Sequence, residues 1–137
     1  MQDIEFRITG PPIALKRHRS TRKGMMYDPS AADKKKMWNK IKKKKPLNPL
    51  LDPVEVFMIF SYSRPKSHFG SGKNSHILKK TAPKIPTRPD IDNLIKMVLD
   101  VIQGKERFIL NDSQVKTVCA EKKYCLREGS SFIRIIV

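Results

Sequence analysis

Ile4, Phe6 and Ile8 alternate with charged or polar neighbours from Asp3 to Thr9, the two-residue period of a strand with one buried face, and Gly10-Pro11-Pro12 ends it. The stretch from Lys16 to Gly24 reads as a loop. Asp28-Pro29-Ser30-Ala31-Ala32 then opens a helix, with Asp28 as N-cap, Pro29 at the first helical position, and Met37, Trp38 and Ile41 as its apolar face. Pro53 to Tyr62 is rich in Val, Ile and Phe and is expected to be a central strand. Residues 64–89 hold four prolines and two glycines among Ser, Lys and His, too broken a pattern for a buried element, and predict a long basic surface loop. Ile91, Leu94, Ile95, Val98, Leu99 and Ile102 recur at helical spacing up to Gly104, a suitable stop. Ser113 to Tyr124 and Ser131 to Val137 complete the chain as two strands joined near Arg127 to Ser130. The pattern predicts a single α+β domain over residues 1–137, with about four strands and two main helices.

Charge changes the picture. Lys and Arg number 29 against 13 Asp and Glu, a formal net charge of +16. Five of the positive residues are Lys16, Arg17, Arg19, Arg22 and Lys23; eight lysines fall between Lys34 and Lys45; seven more are Arg64, Lys66, Lys73, Lys79, Lys80, Lys84 and Arg88. One such run can be a solvated face, but three in one small domain point to nucleic acid. Two cysteines, Cys119 and Cys125, are too few for a disulfide framework or a four-ligand zinc site. Six positions on one strand would hold them roughly 20 Å apart, so reduced thiols are expected. The first residues do not resemble a signal peptide and no apolar run approaches a membrane span. The expectation is a soluble, cytoplasmic protein that works with DNA and no membrane.

No Asp or Glu occurs between Val56 and Pro89, and then Asp90 and Asp92 come one residue apart. On a full helix two positions differ by about 200°, so the pair converges only if Asp90 lies in an extended lead-in. Arg88, preceding Pro89, favours that. The plainer alternative is that Asp90 caps the helix and Asp92 complements its positive end, each for about 0.5–1 kcal/mol. Lys96 and Asp100 continue a polar stripe from Asp92. Helix residues 92–104 cover about 18 Å, while the steps from Gly104 to Asp112 can extend about 26 Å, so Asp112 could return to the helix start. Three carboxylates meeting in a cationic protein need a hard divalent cation between them, magnesium or manganese, and such an ion serves phosphodiester hydrolysis.

Asp90-Ile-Asp92-Asn93-Leu-Ile-Lys96, Asp100, Leu110-Asn-Asp112-Ser-Gln-Val115 and the early Gly10-Pro-Pro-Ile-Ala-Leu-Lys-Arg17 together resemble the RusA family of Holliday junction resolvases, across essentially the whole chain. The resemblance implies a RusA-like α+β domain with a mixed sheet. It also implies a homodimeric, magnesium-dependent endonuclease that cuts four-way DNA junctions symmetrically in recombination and repair. By motif position Asp90, Asp92 and Asp112 would be the metal carboxylates and Lys96 the functional lysine, with Asn93 and Asp100 in support. Lys16, Arg17, Arg19, Arg22, Lys23, Arg64, Lys66, Lys73, Lys79, Lys80, Lys84 and Arg88 are the candidate DNA contacts. Many members carry two adjacent acids where this chain has Asn111-Asp112, which leaves Asp112 as the candidate there. Two other readings remain open at this point: a non-catalytic basic nucleic-acid-binding protein whose acids only cap and pair, and a nuclease for other branched DNA.

The remaining residues have plainer expectations. His18, His68 and His76 lie in basic loops and read as surface or phosphate-contacting residues; Trp38 reads as core. Phe69 is either a wedge at the junction centre or an anchor for its loop. Residues 132–137 and the face of the helix over 90–103 are candidate dimer surfaces unless they are core.

Overall fold

The computed structural model describes residues 3–17 and 19–137, without the side chain of Arg19; His18 lies outside the described residues. In chain order the elements are β1 (Asp3–Thr9), β2 (Arg19–Ser20), β3 (Met26–Tyr27), α1 (Ala31–Ile41), β4 (Val54–Ser63), α2 (Ile91–Ile102), β5 (Val115–Cys125) and β6 (Ser130–Ile136). The main sheet runs β1-β6-β4-β5, with β4 parallel to β5 and antiparallel to β6. It is an α+β domain with a mixed four-stranded sheet and two helices, as the hydrophobic pattern predicts.

Alternation along the strands decides which face the helices cover. Val54, Val56, Met58 and Phe60 of β4, Ile133 and Ile135 of β6, and Phe6 and Ile8 of β1 are buried on one side. Against them lie Met37 and Ile41 of α1 and Leu94, Met97, Val98, Val101 and Ile102 of α2. Each fully buried side chain of this size contributes about 1.5–3 kcal/mol. Trp38 packs edge-on against the buried Phe108 at 5.9 Å, under the Arg107 guanidinium at 4.3 Å, so it is half-buried at the margin of the core, a packing residue as expected.

The connection from β5 to β6 is not a hairpin. The two strands flank β4, so residues 126–129 pass across its end. Gly129 makes that crossing possible: a Cβ there would lie 2.7 Å from the Ser61 carbonyl oxygen. β6 is therefore interior to the sheet, and its helix-facing residues, like the deep face of α2, are core rather than free dimer surface.

Two local expectations are corrected. Part of the stretch from Lys16 to Gly24 is not loop but half of a two-stranded ribbon, Arg19 pairing Tyr27 and Ser20 pairing Met26. The turn between them closes through the Thr21 N–H donating to the Met25 carbonyl (2.7 Å) and uses Gly24 at φ +78°. Helix α1 starts at Ala31 with Ser30, not Asp28, in the N-cap position. Asp28 sits two residues earlier, where its carboxylate accepts the Ser30 N–H (2.9 Å) and pairs with Lys34 (2.7 Å). Lys34 also reaches Asp100 (3.2 Å), which ties α1 to α2. Burial pulls the Lys34 ammonium pKa down, but the hydrogen bonds and charges of Asp28 and Asp100 outweigh it and leave the pKa above its ordinary value.

Tyr62, at the end of β4, donates its hydroxyl to the Pro12 carbonyl (2.9 Å), and burial pushes its pKa up to about 12. A phenol that ionises less readily folded than unfolded keeps its full contribution below the ordinary tyrosine pKa and loses it as pH rises through the folded value. Tyr62→Phe should cost about 1 kcal/mol at neutral pH. It should also flatten the loss of stability between pH 10 and about 12, measured by urea unfolding across that range.

Candidate active site

Asp90 occupies the N-cap position of α2 with an extended backbone (φ −65°, ψ 141°), so the chain enters the helix from an extended segment as its sequence predicts. The Asp90 carboxylate accepts no helix N–H. Capping, the plainer reading, is not what this side chain does. Among the described residues, the side chains of Asp90, Asp92 and Lys96 have no hydrogen bond and no ion pair. The stripe from Asp92 to Asp100 is thus not a salt-bridged ladder: Asp100 turns to Lys34 instead.

These uncommitted groups share one cleft of about 270 Å³, lined by Leu15, Lys16, Arg17, Asp90, Asp92, Asn93 and Lys96. Its opposite wall is pinned to both helices. The Leu15 N–H donates to the Asn93 carbonyl (3.0 Å), and the Lys16 N–H donates to the hydroxyl of the fully buried Ser30 (2.8 Å). Lys122, on the helix-facing side of β5, donates its ammonium to the Pro89 carbonyl (3.0 Å) and clamps the segment that delivers Asp90. Two carboxylates therefore face three cations in an exposed, preformed recess.

Asp112 does not join them within the chain, contrary to the reach its spacing allows. Its N–H donates to the Gln103 side-chain oxygen (3.1 Å), and the Gln103 amide donates back to its carboxylate (3.4 Å). Gln103 follows the last residue of α2, so Asp112 is held at the far end of the helix, about 16 Å along its axis from Asp92. The cause is topological. Because β5 runs parallel to β4 with α2 as the return between them, β5 must begin where α2 ends. Among the described residues no three His, Cys, Asp or Glu side chains gather closely enough to hold a metal ion. Asn111, the neighbour that is not a second acid, serves the local turn, its side chain accepting the Ser113 N–H (2.9 Å). Gln114 in turn accepts the Asn111 N–H (2.9 Å), a capping box over residues 111–114.

The basic candidates divide. Lys16 and Arg17 line the cleft. Arg22 and Lys23 are exposed at the ribbon turn, and Lys66, Lys73, Lys79, Lys80, Lys84 and Arg88 are exposed along residues 64–89. Arg64 is engaged within the fold, stacked on Tyr124 and bonded to the Pro83 carbonyl. His68 also packs against Tyr124, so it is a half-buried anchor rather than a surface residue, while His76 is exposed as expected.

Sequence reasoning missed Gln103, Lys122 and Tyr124. Lys122 carried a signal: it is a lysine at a helix-facing position of the alternation Val118, Ala120, Lys122, Tyr124. Gln103 carried none, since its role depends on where β5 starts.

No helix of the described chain is long and apolar enough to cross a membrane. A comparison with curated proteins finds no match. A family model described as Endodeoxyribonuclease RusA matches residues 9–136, which takes in the cleft, both helices and the whole sheet from the end of β1 onward. With that match over nearly all of its length, the chain belongs to the RusA family of endodeoxyribonucleases.

Proposed function

We propose that this endonuclease is a magnesium-dependent homodimer that resolves four-way DNA junctions by paired phosphodiester hydrolysis in recombination and repair. The observation that carries the reading is the pair of carboxylates, Asp90 and Asp92, without a partner among the described residues, in a cleft with Lys16, Arg17 and Lys96, in a protein of net charge +16. Free acids beside free cations would be expected to pair unless something else claims them.

The donors of the cleft suit a hard cation. Asp90, Asp92 and the Asn93 carboxamide offer oxygen, and among the described residues no His or Cys lines the recess, a set that favours magnesium or manganese over zinc. Bound there, such an ion would supply Lewis acidity toward the scissile phosphate and activation of water. The chain's own groups do the rest. Lys16 and Arg17 hold phosphates at the mouth of the cleft, and Lys96 offsets the negative charge that builds on the phosphoryl oxygens.

Asp112 enters this set from a second copy. Its own Asp90 and Asp92 lie at the other end of α2, so a two-fold dimer with the α2 helices running in opposite directions is the simplest way to unite all three carboxylates. Ile91, Ile95 and Leu99 form a half-exposed stripe on α2 that such a contact would cover. Two sites on one assembly also match two strands to be cut.

Three outcomes test the reading. Four-way junctions should be cut with magnesium and bound but uncut with chelator, while duplex and flap controls are cut far more slowly. Binding should weaken steeply with added salt, and a flat dependence would contradict a phosphate-gripping surface. Lys96→Ala should lower the cleavage rate by about 10²–10³-fold with the melting temperature unchanged. A lysine serving only a surface ion pair would contribute about 0.3–0.5 kcal/mol, and a variant cutting at wild-type speed would remove Lys96 from the mechanism.

A further inference from the structure

Residues 64–89 are more than a charged tether, because they are internally built. The Arg64 guanidinium lies over the Tyr124 ring (4.2 Å to the centroid) and donates to the Pro83 carbonyl (2.7 Å), and His68 meets the same ring edge-on at 5.3 Å. These contacts fasten the first leg of the segment to the end of β5 and, through Arg64, the second leg to the first. Between the legs the chain doubles back on itself. Phe69 and Leu78 form an antiparallel bridge, with the Gly70 N–H donating to the Ile77 carbonyl and the Lys79 N–H to the His68 carbonyl, both at 2.9 Å. Gly70 permits the tight return, since a Cβ there would lie 2.7 Å from Asn74. An arm ordered in advance loses little conformational entropy when it meets a partner.

Its surface joins two chemistries. Lys66, Lys73, Lys79 and Lys80 are exposed and no acid accompanies them. Among these lysines Ile77 is 50% and Leu78 43% exposed, whereas Phe69 is half-buried as the anchor of the return. Lysines alone suffice to grip a phosphate backbone; a pair of apolar side chains held beside them does not help with phosphate. Bases opened out of the stack and flanked by phosphates match both features, and the branch point of a junction, where the continuous stack is interrupted, is where a wedge opens them most easily. A second copy of this chain is a poor match, because it would bring further positive charge to a basic arm.

On the footing of the junction-cleaving function proposed above, we infer that residues 66–81 form a strand-parting arm. The lysines seat on phosphates, and Ile77 and Leu78 press against bases at the branch point. The second leg of the arm runs directly to Asp90, clamped at Pro89 by Lys122, so the parted strand is delivered beside the cleft.

The test uses four-way junctions carrying 2-aminopurine next to the branch point, with chelator present so that no strand is cut. Wild-type protein should raise the fluorescence as bases unstack. The double variant Ile77→Ser/Leu78→Ser should leave it near the free-junction level and reduce the preference for junction over duplex about tenfold. Its duplex affinity, salt dependence and melting temperature should not change, since both side chains are exposed. Lys79→Ala/Lys80→Ala should instead weaken junction and duplex binding alike and lower the salt slope by roughly two. A double-serine variant that unstacks bases and prefers junctions as the wild type does would overturn the arm while leaving junction cleavage standing. A wild-type protein with no preference for junctions would overturn both.

Discussion

Asp90→Asn and Asp92→Asn are each expected to lower junction cleavage more than about a hundredfold, beyond the loss typical of groups that only support a metal ligand. Junction binding should stay equal or tighten. The expectation rests on what these side chains are not doing. Asp90 holds the N-cap position without capping, and neither acid pairs with Lys96. Asparagine is as good at a helix start as aspartate, so the helix should be unaffected. It keeps one oxygen and loses the charge that a hard cation requires. Binding can improve because a negative charge facing phosphate has been removed. Near-normal turnover in either variant would return that residue to a structural role.

The second large effect concerns Asp112. Asp112→Asn alone should also abolish cleavage, but a site shared between copies makes a stronger demand on mixed dimers. One copy carrying Asp92→Asn and the other Asp112→Asn would have one site with both lesions and one site with none. The heterodimer itself should nick single strands at about half the wild-type initial rate, and an equimolar exchange, in which about half of the dimers are mixed, at about a quarter, although each variant by itself is inactive. If the three carboxylates instead acted within one chain, both sites of the mixed dimer would hold one lesion and no nicking would return. Subunit exchange followed by a nicking assay on the four-way junction separates the two arrangements. The lock between Gln103 and Asp112 is weak enough for the carboxylate to turn to a site shared with a second copy: both of its hydrogen bonds are exposed to solvent.

What could be read from the chain alone was what local periodicity controls. Strands β1 and β4 and helix α2 follow from alternation and helical spacing, and the convergence of Asp90 with Asp92 follows from a proline before a helix start. Each of these depends on residues within one turn or one strand. The position of Asp112 does not, since it follows from the direction of β5 relative to α2. The placement of β5 and β6 on either side of β4 has the same origin: a short connection suggests a hairpin, and only the packed sheet, with Gly129 passing under the Ser61 carbonyl, makes it a crossing. Arg64 and His68 looked like phosphate contacts because a basic loop is the sequence environment of both, yet Tyr124, far along the chain, holds them. The capping box at Asn111 and Gln114 was legible in principle, as an Asn followed three residues later by Gln.

A cruciform-bearing supercoiled plasmid gives the most direct measurement, with the free protein's mass determined by sedimentation beforehand. The protein should sediment as a dimer and, with magnesium, convert the plasmid to linear product in one binding event, because two sites cut two strands. With chelator it should bind the cruciform and leave it supercoiled. A protein that sediments as a monomer and yields only nicked circles, or one that cuts equally well in chelator, would contradict a paired, metal-dependent junction endonuclease.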